Sequence, residues 1–247
     1  MSHKALVINL FNIVLKLGTV HYRTDFVRKR TEINDLYPMG LFLALSGVIG
    51  KTADEVVQSL RNYATANGGG LEPAGDINSD HQNCCIVGQT DRGVTIFYPN
   101  YYSEWDKTSE FLSAELKAPV FSFHIHDGAF WMYVLFVNGE IADQFNPIPD
   151  YWDDQTSKDE IAAWKGNGLK VSHLIDGLLA RDIERYLVRW NLDAEPVKAY
   201  ADDAFENGDW QLLDFMKRLG LAYPLDEEGK PLGAVYKLWT AELGLKD

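Results

Sequence analysis

The sequence predicts an α+β fold: an antiparallel sheet in the split βαβ order of ferredoxin-like sandwiches, extended by a three-stranded meander and followed by a mostly helical C-terminal region. Three observations predict it. Residues 41–126 alternate strand, helix, strand, strand, helix, strand in their apolar patterning. Residues 120–146 read as three strands joined by Asp127-Gly128 and Asn138-Gly139, dipeptides favoured in two-residue type I′ turns. Beyond Pro147 and Pro149, which lack an amide donor and restrict their predecessors, the period becomes helical.

Each element follows from local chemistry. The apolar run 41–47 suits a buried strand. Thr52 and Glu55 form a capping box for a helix whose buried stripe is Val56, Leu60 and Tyr63, and Gly68 sits at its C′ position. Residues 71–82 read as a loop and 83–98 as a hairpin turning through 89–92. Ser103, with Asp106 three residues on, starts a second helix that Pro119 ends. Further helices are expected near Ile161 and Trp164, over 173–179, 182–190 and 210–219, the last with Asp209 as N-cap and Gly220 as C′, and finally over 235–245. Three regions result: a basic arm over 1–36, a sheet domain over 37–150, and a helical region over 151–247.

Composition bounds the function. The chain has 247 residues, 46% of them hydrophobic and 24% charged, which is globular usage and excludes collagen-like or wholly disordered readings. No apolar run reaches the ~18 to 20 residues of a spanning helix, so no membrane role is expected. Adjacent Cys84 and Cys85 are badly placed to bond each other, which points to a reducing compartment, the cytoplasm. Residues 1–35 carry six Lys/Arg against three Asp/Glu, a net +3, so the rest of the −13 chain holds −16. That field repels phosphate backbones, excludes nucleic acid as a partner of the body, and suits a cationic protein.

Within the meander the two turns set a register by counting. If both loops hold two residues, His124 faces Trp131, Trp131 faces Asn146, and Ser122, Tyr133 and Gln144 lie abreast. One side then carries Phe121, Phe123, Ile125, Phe130, Met132, Val134, Phe136, Ile141 and Phe145, with Asp143 the exception; that side is core. The opposite side gathers Ser122, His124, His126, Trp131, Tyr133, Gln144 and Asn146, a polar and aromatic surface suited to binding.

Four other features carry possible chemistry. His124 and His126, two apart on a strand, point the same way at ~7 Å spacing, near enough to share a metal ion. Counting brings no third histidine or carboxylate beside them, so no metal is assigned. Cys84 and Cys85 alternate inward and outward, and buried thiols of this kind usually act as small hydrophobes. Gly68-Gly69-Gly70 follows a helix instead of preceding one, so it cradles no phosphate and reads as a C-cap and flexible connection. The run NPIPDYWDD (146–154) suits recognition, since rigid aromatic and proline segments lose little entropy on binding, but it also suits a wedge between two regions, the reading preferred here.

No G-x-S-x-G, H-E-x-x-H, C-x-x-C or EF-hand spacing occurs, and no cofactor motif. The leading expectation is therefore a binding module for a cationic protein or a small ligand, acting through Ser122, His124, His126, Trp131, Tyr133, Gln144 and Asn146. The alternative is a hydrolase-like enzyme in which His124 and His126 act as metal ligands or as general acid and base.

Overall fold

Eight antiparallel strands form one sheet in the computed structural model, which describes residues 41–74, 84–99, 102–153 and 155–242. In chain order the elements are β1 (Leu43–Ile49), α1 (Ala53–Ala66), β2 (Gly70–Pro73), β3 (Cys84–Gln89), β4 (Gly93–Phe97), α2 (Trp105–Leu116), β5 (Val120–His126), β6 (Phe130–Val137) and β7 (Glu140–Phe145). Then come α3 (Lys158–Ala163), α4 (Gly168–His173), a 3-10 turn (Ala180–Asp182), α5 (Gln211–Leu219) and β8 (Ala234–Trp239). The strand order across the sheet is β2-β8-β3-β4-β1-β5-β6-β7. The arm expected over 1–36 lies outside the described residues.

Two apolar layers sandwich the sheet. Helix α1 starts at the Thr52–Glu55 capping box, and with α2 it buries Val56, Leu60 and Leu112 against Val48, Val94, Ile96 and Val120. On the opposite side, Phe121, Phe123, Ile125, Trp131, Tyr133, Leu135 and Phe145 meet Val171, Ile183, Tyr186, Phe215, Met216 and Leu219. Segment 146–225 is thus a lid of short helices and turns over half of the sheet.

The C-terminal region departs from expectation in three places. The helix expected over 173–179 lies earlier, as α4, and 174–179 are turns and irregular chain; residues 183–190 are turns and bends after the 3-10 segment; and the expected terminal helix is strand β8, inserted between β2 and β3. Its sequence AVYKLW is a short, β-branched and aromatic run that periodicity alone assigns to either state. Glycines beside β2 and β8 settle the matter: a Cβ on Gly69, next to β2, would lie 1.9 Å from Trp239 O, and one on Gly233, next to β8, would lie 2.1 Å from Val87 O. Glycine at both positions lets the backbones close on β8. Strand β2, expected as loop, exists because β8 pairs with it, and Pro73 is tolerated on this edge strand.

The meander forms, but its register differs from the counted one. His126 pairs with Phe130, Ile125 with Trp131, His124 with Met132 and Phe123 with Tyr133. Asp127 (φ 54°) and Gly128 (φ 59°) do make the type I′ turn, closed by Ala129 N donating to His126 O at 2.9 Å, but Ala129 is an extra residue that bulges out of the ladder. The second turn is the expected two-residue one, with Val137 opposite Glu140. A bulge at Ala142 then shifts the pairs to Leu135 with Asp143, Val134 with Gln144 and Tyr133 with Phe145. A one-residue slip turns every side chain over. Met132, Val134 and Phe136 therefore share the helix side with Ser122 and His124, whereas Trp131, Tyr133 and Leu135 share the lid side with Phe123. Ile141, expected in the core, is exposed.

Candidate functional site

The predicted surface residues are divided between the two sides of the sheet. Trp131 and Tyr133 are buried under the lid. The Trp131 indole lies 4.9 Å from the Phe215 ring and donates from Nε1 to Gln211 Oε1 at 3.3 Å. Tyr133 donates its hydroxyl to Asp143 Oδ2 at 2.6 Å, and that carboxylate also accepts from Asn167 N. Asp143, the odd residue in the expected core pattern, thus satisfies a buried phenol. Asn146 is buried too, and its Oδ1 accepts from Ile148 N at 2.8 Å, which stiffens the start of NPIPDYWDD. These three residues brace the fold.

Ser122, His124, His126 and Gln144 face the other way. Ser122 donates to Asp106 Oδ1 at 2.5 Å, so α2 covers this end of the strand. Burial raises the Asp106 carboxyl above its ordinary value, and the Ser122 hydroxyl opposes that rise. Gln144 is half-buried opposite Val134, away from the histidines. His124 is 9% exposed, with the Trp105 ring edge-on at 4.8 Å, and its Nδ1 is buried without a hydrogen-bond partner among the described residues. Burial pushes His124 down to about 4, with His126 adding to the push. The ring is neutral near pH 7.

His126 is the half-buried end of this row and the centre of an aromatic cluster. Phe42 lies 4.9 Å from it, Trp152 4.9 Å, Phe130 5.6 Å, His124 5.7 Å and Tyr151 5.8 Å, most of them edge to face. Trp152 donates from Nε1 to His126 Nε2 at 3.3 Å, and the Tyr151 hydroxyl reaches Asp127 Oδ2 at 3.4 Å. Burial holds His126 below its ordinary value while the Asp127 carboxylate pulls it upward. Phe42, Tyr151 and Trp152 are 47%, 37% and 56% exposed, so three large aromatic side chains present surface around one imidazole. Beside the turn, a Cβ on Gly128 would lie 3.8 Å from Asp209 Oδ2, and burial raises that carboxyl to about 6.

Sequence reasoning singled out His124 and His126 but not the rings that surround them. Phe42 reads as part of a buried strand, and Tyr151 and Trp152 read as a wedge. The signal was the proline-fixed aromatic pair itself, which the Asn146 turn and the Trp190 N to Pro147 O bond of 3.1 Å bring back over the end of β5. Among the described residues no group of three or more His, Cys, Asp or Glu is placed to hold a metal ion. Cys85 is buried, and desolvation raises both thiols, Cys85 far above its ordinary value, so neither is an activated nucleophile. No described helix is long and apolar enough to cross a membrane. Comparison with protein-family models, with curated proteins and with solved structures gives no match.

Proposed function

We propose that the protein is a binding module that takes a cationic side chain of a protein partner at the aromatic patch formed by Phe42, His126, Tyr151 and Trp152. The observation that carries this reading is the convergence of three exposed aromatic rings on one imidazole. Aromatic faces attract ammonium and guanidinium groups, by ~0.5 to 1 kcal/mol when exposed and about 2 when desolvated. The Asp127 carboxylate beside Tyr151 adds an acceptor, and a chain of charge −13 draws cations toward it. Of the surface read from sequence, His126 and the buried His124 behind it belong to this patch. The central strands β3-β4-β1-β5 with α1 and α2 on one side support a ferredoxin-like reading of the platform beneath it.

The enzyme alternative built on His124 and His126 draws less support, because no carboxylate hydrogen-bonds either ring among the described residues and His124 lies beneath other aromatic groups. Isothermal titration with pentalysine and with pentaglutamate tests the proposal. Pentalysine binds, more weakly as salt rises, and Trp152→Ala weakens it about fivefold, the loss of ~1 kcal/mol. Equal binding of the two peptides, or pentalysine binding that ignores Trp152→Ala, overturns it.

A further inference from the structure

We infer that the cleft adjoining this patch holds a backbone peptide unit of the same partner, read by one donor and one acceptor that the fold leaves unpaired. The inference rests on the proposed patch and extends it. The cleft has a volume of about 600 Å³ and is lined by Ile148, Asp150, Tyr151, Arg189, Trp190 and Leu192, among others. Tyr151 joins the two sites, since it lines the cleft and its ring lies 5.8 Å from His126.

Two polar atoms of the lining residues stand out. Trp190 is 8% exposed, and its indole Nε1 is buried with no hydrogen-bond partner among the described residues. Asp150 Oδ2 pairs with Arg189, while its Oδ1 is likewise buried and unpartnered. An unpaired buried polar atom is destabilising, and native proteins leave few of them. Here a donor and an acceptor belong to two residues that line one cleft. The complementary group offers an acceptor to the indole N–H and a donor to the carboxylate, and a secondary amide carries both. Arg189 already balances the charge of Asp150 and the indole is neutral, so a neutral amide matches the site better than an ion. Ile148 and Leu192 supply apolar walls for the chain on either side.

The floor is rigid. Tyr151 N donates to Ile148 O at 3.0 Å, Trp190 N to Pro147 O at 3.1 Å and Ile148 N to Asn146 Oδ1 at 2.8 Å. Both orphan atoms are shielded from bulk water, so engagement requires a side chain of the cleft wall to move while Arg189 stays paired with Asp150 Oδ2. A lysine whose ammonium lies on the patch then places its own amide in the cleft.

The test follows the indole N–H resonances of Trp152 and Trp190 in ¹⁵N-labelled full-length protein, assigned with Trp152→Phe and Trp190→Phe. N-acetyl-lysine-N-methylamide is expected to shift both resonances, and n-butylammonium, which lacks the amide, only Trp152. Asp150→Asn, with its spectral dispersion confirming the fold, is expected to weaken the Trp190 response about fivefold. If the lysine amide moves Trp152 and leaves Trp190 in place, the cleft inference is overturned and the patch stands. If N-methylacetamide moves Trp190 while no cation moves Trp152, the amide site stands and its link to the patch is overturned. If neither resonance responds to any probe, both are overturned.

Discussion

Two aromatic clusters lie on either side of the β5–β6 ribbon, and they are built from similar residues for opposite ends. On the lid side, Phe121, Phe123, Trp131, Tyr133 and Phe215 pack within 6.4 Å of one another in successive pairs, some stacked and some tilted or edge-on, fully enclosed. On the helix side, past the end of α2, Phe42, His126, Tyr151 and Trp152 contact each other as closely yet remain half in water. The difference is coverage. Helix α5 brings Phe215, Met216 and Leu219 down onto the first cluster, whereas Phe42, Tyr151 and Trp152 of the second keep 47%, 37% and 56% of their surface exposed. Aromatic content therefore says little about role until the covering element is known.

The comparison is most sharply broken by mutating one tryptophan from each cluster. Trp131→Ala removes a buried indole and its bond to Gln211, and is expected to cost about 3 to 5 kcal/mol in urea unfolding at pH 7. Trp152→Ala, at a half-exposed position, is expected to cost less than ~1 kcal/mol in the same measurement. Similar losses would mean that both clusters are core.

Acid sharpens the contrast next. His124 titrates near 6.5 when unfolded and at about 4 when folded, so between these values the unfolded chain binds more protons. Its contribution is fully present above about pH 6.5 and is lost as pH falls toward 4, on the order of 3 kcal/mol. Asp209 works the other way, since its folded value of about 6 lies above its ordinary 3.8 and protonation favours the folded state as pH falls through that range. The wild-type profile is therefore flattened. His124→Gln is expected to remove the first contribution and to leave a variant that gains on the wild type between pH 6.5 and 4; parallel urea midpoints across that range would refute the burial of a neutral His124.

The smallest expected effect is also the most pointed. Deleting Ala129 leaves His126 opposite Phe130 across a two-residue Asp127-Gly128 turn, so the native sides of β6 are kept. The deletion is expected to fold with near-UV circular dichroism unchanged and stability within ~1 kcal/mol. Under the counted register the same deletion would turn β6 over and abolish the core.

Much of the fold was legible because its signals are local. The Thr52–Glu55 box, Gly68, the two turn dipeptides and Gly220 each act within a few residues, and α1, the meander and α5 appear where they place them. The register was not legible. Asp127-Gly128 specifies the turn, but whether Ala129 enters the ladder depends on which side of β6 buries more surface, and Phe215 and Met216 lie some eighty residues away. Strand β8 was misread for the same reason, since its partners β2 and β3 are more than a hundred residues earlier. The candidate site was half legible: the paired histidines are a sequence feature, while Phe42 and Trp152 join them only through the chain's return.

The sequence by itself determined the type of most elements, the two reversals of the meander and an anionic character that favours cations, because propensity, capping and charge need no distant partner. Tertiary structure decided which side of β6 faces the lid, that AVYKLW is a strand, and that imidazole and exposed rings meet at the end of β5. Those outcomes compare burial free energies of competing long-range pairings, and such comparisons exist only once the chain has closed on itself.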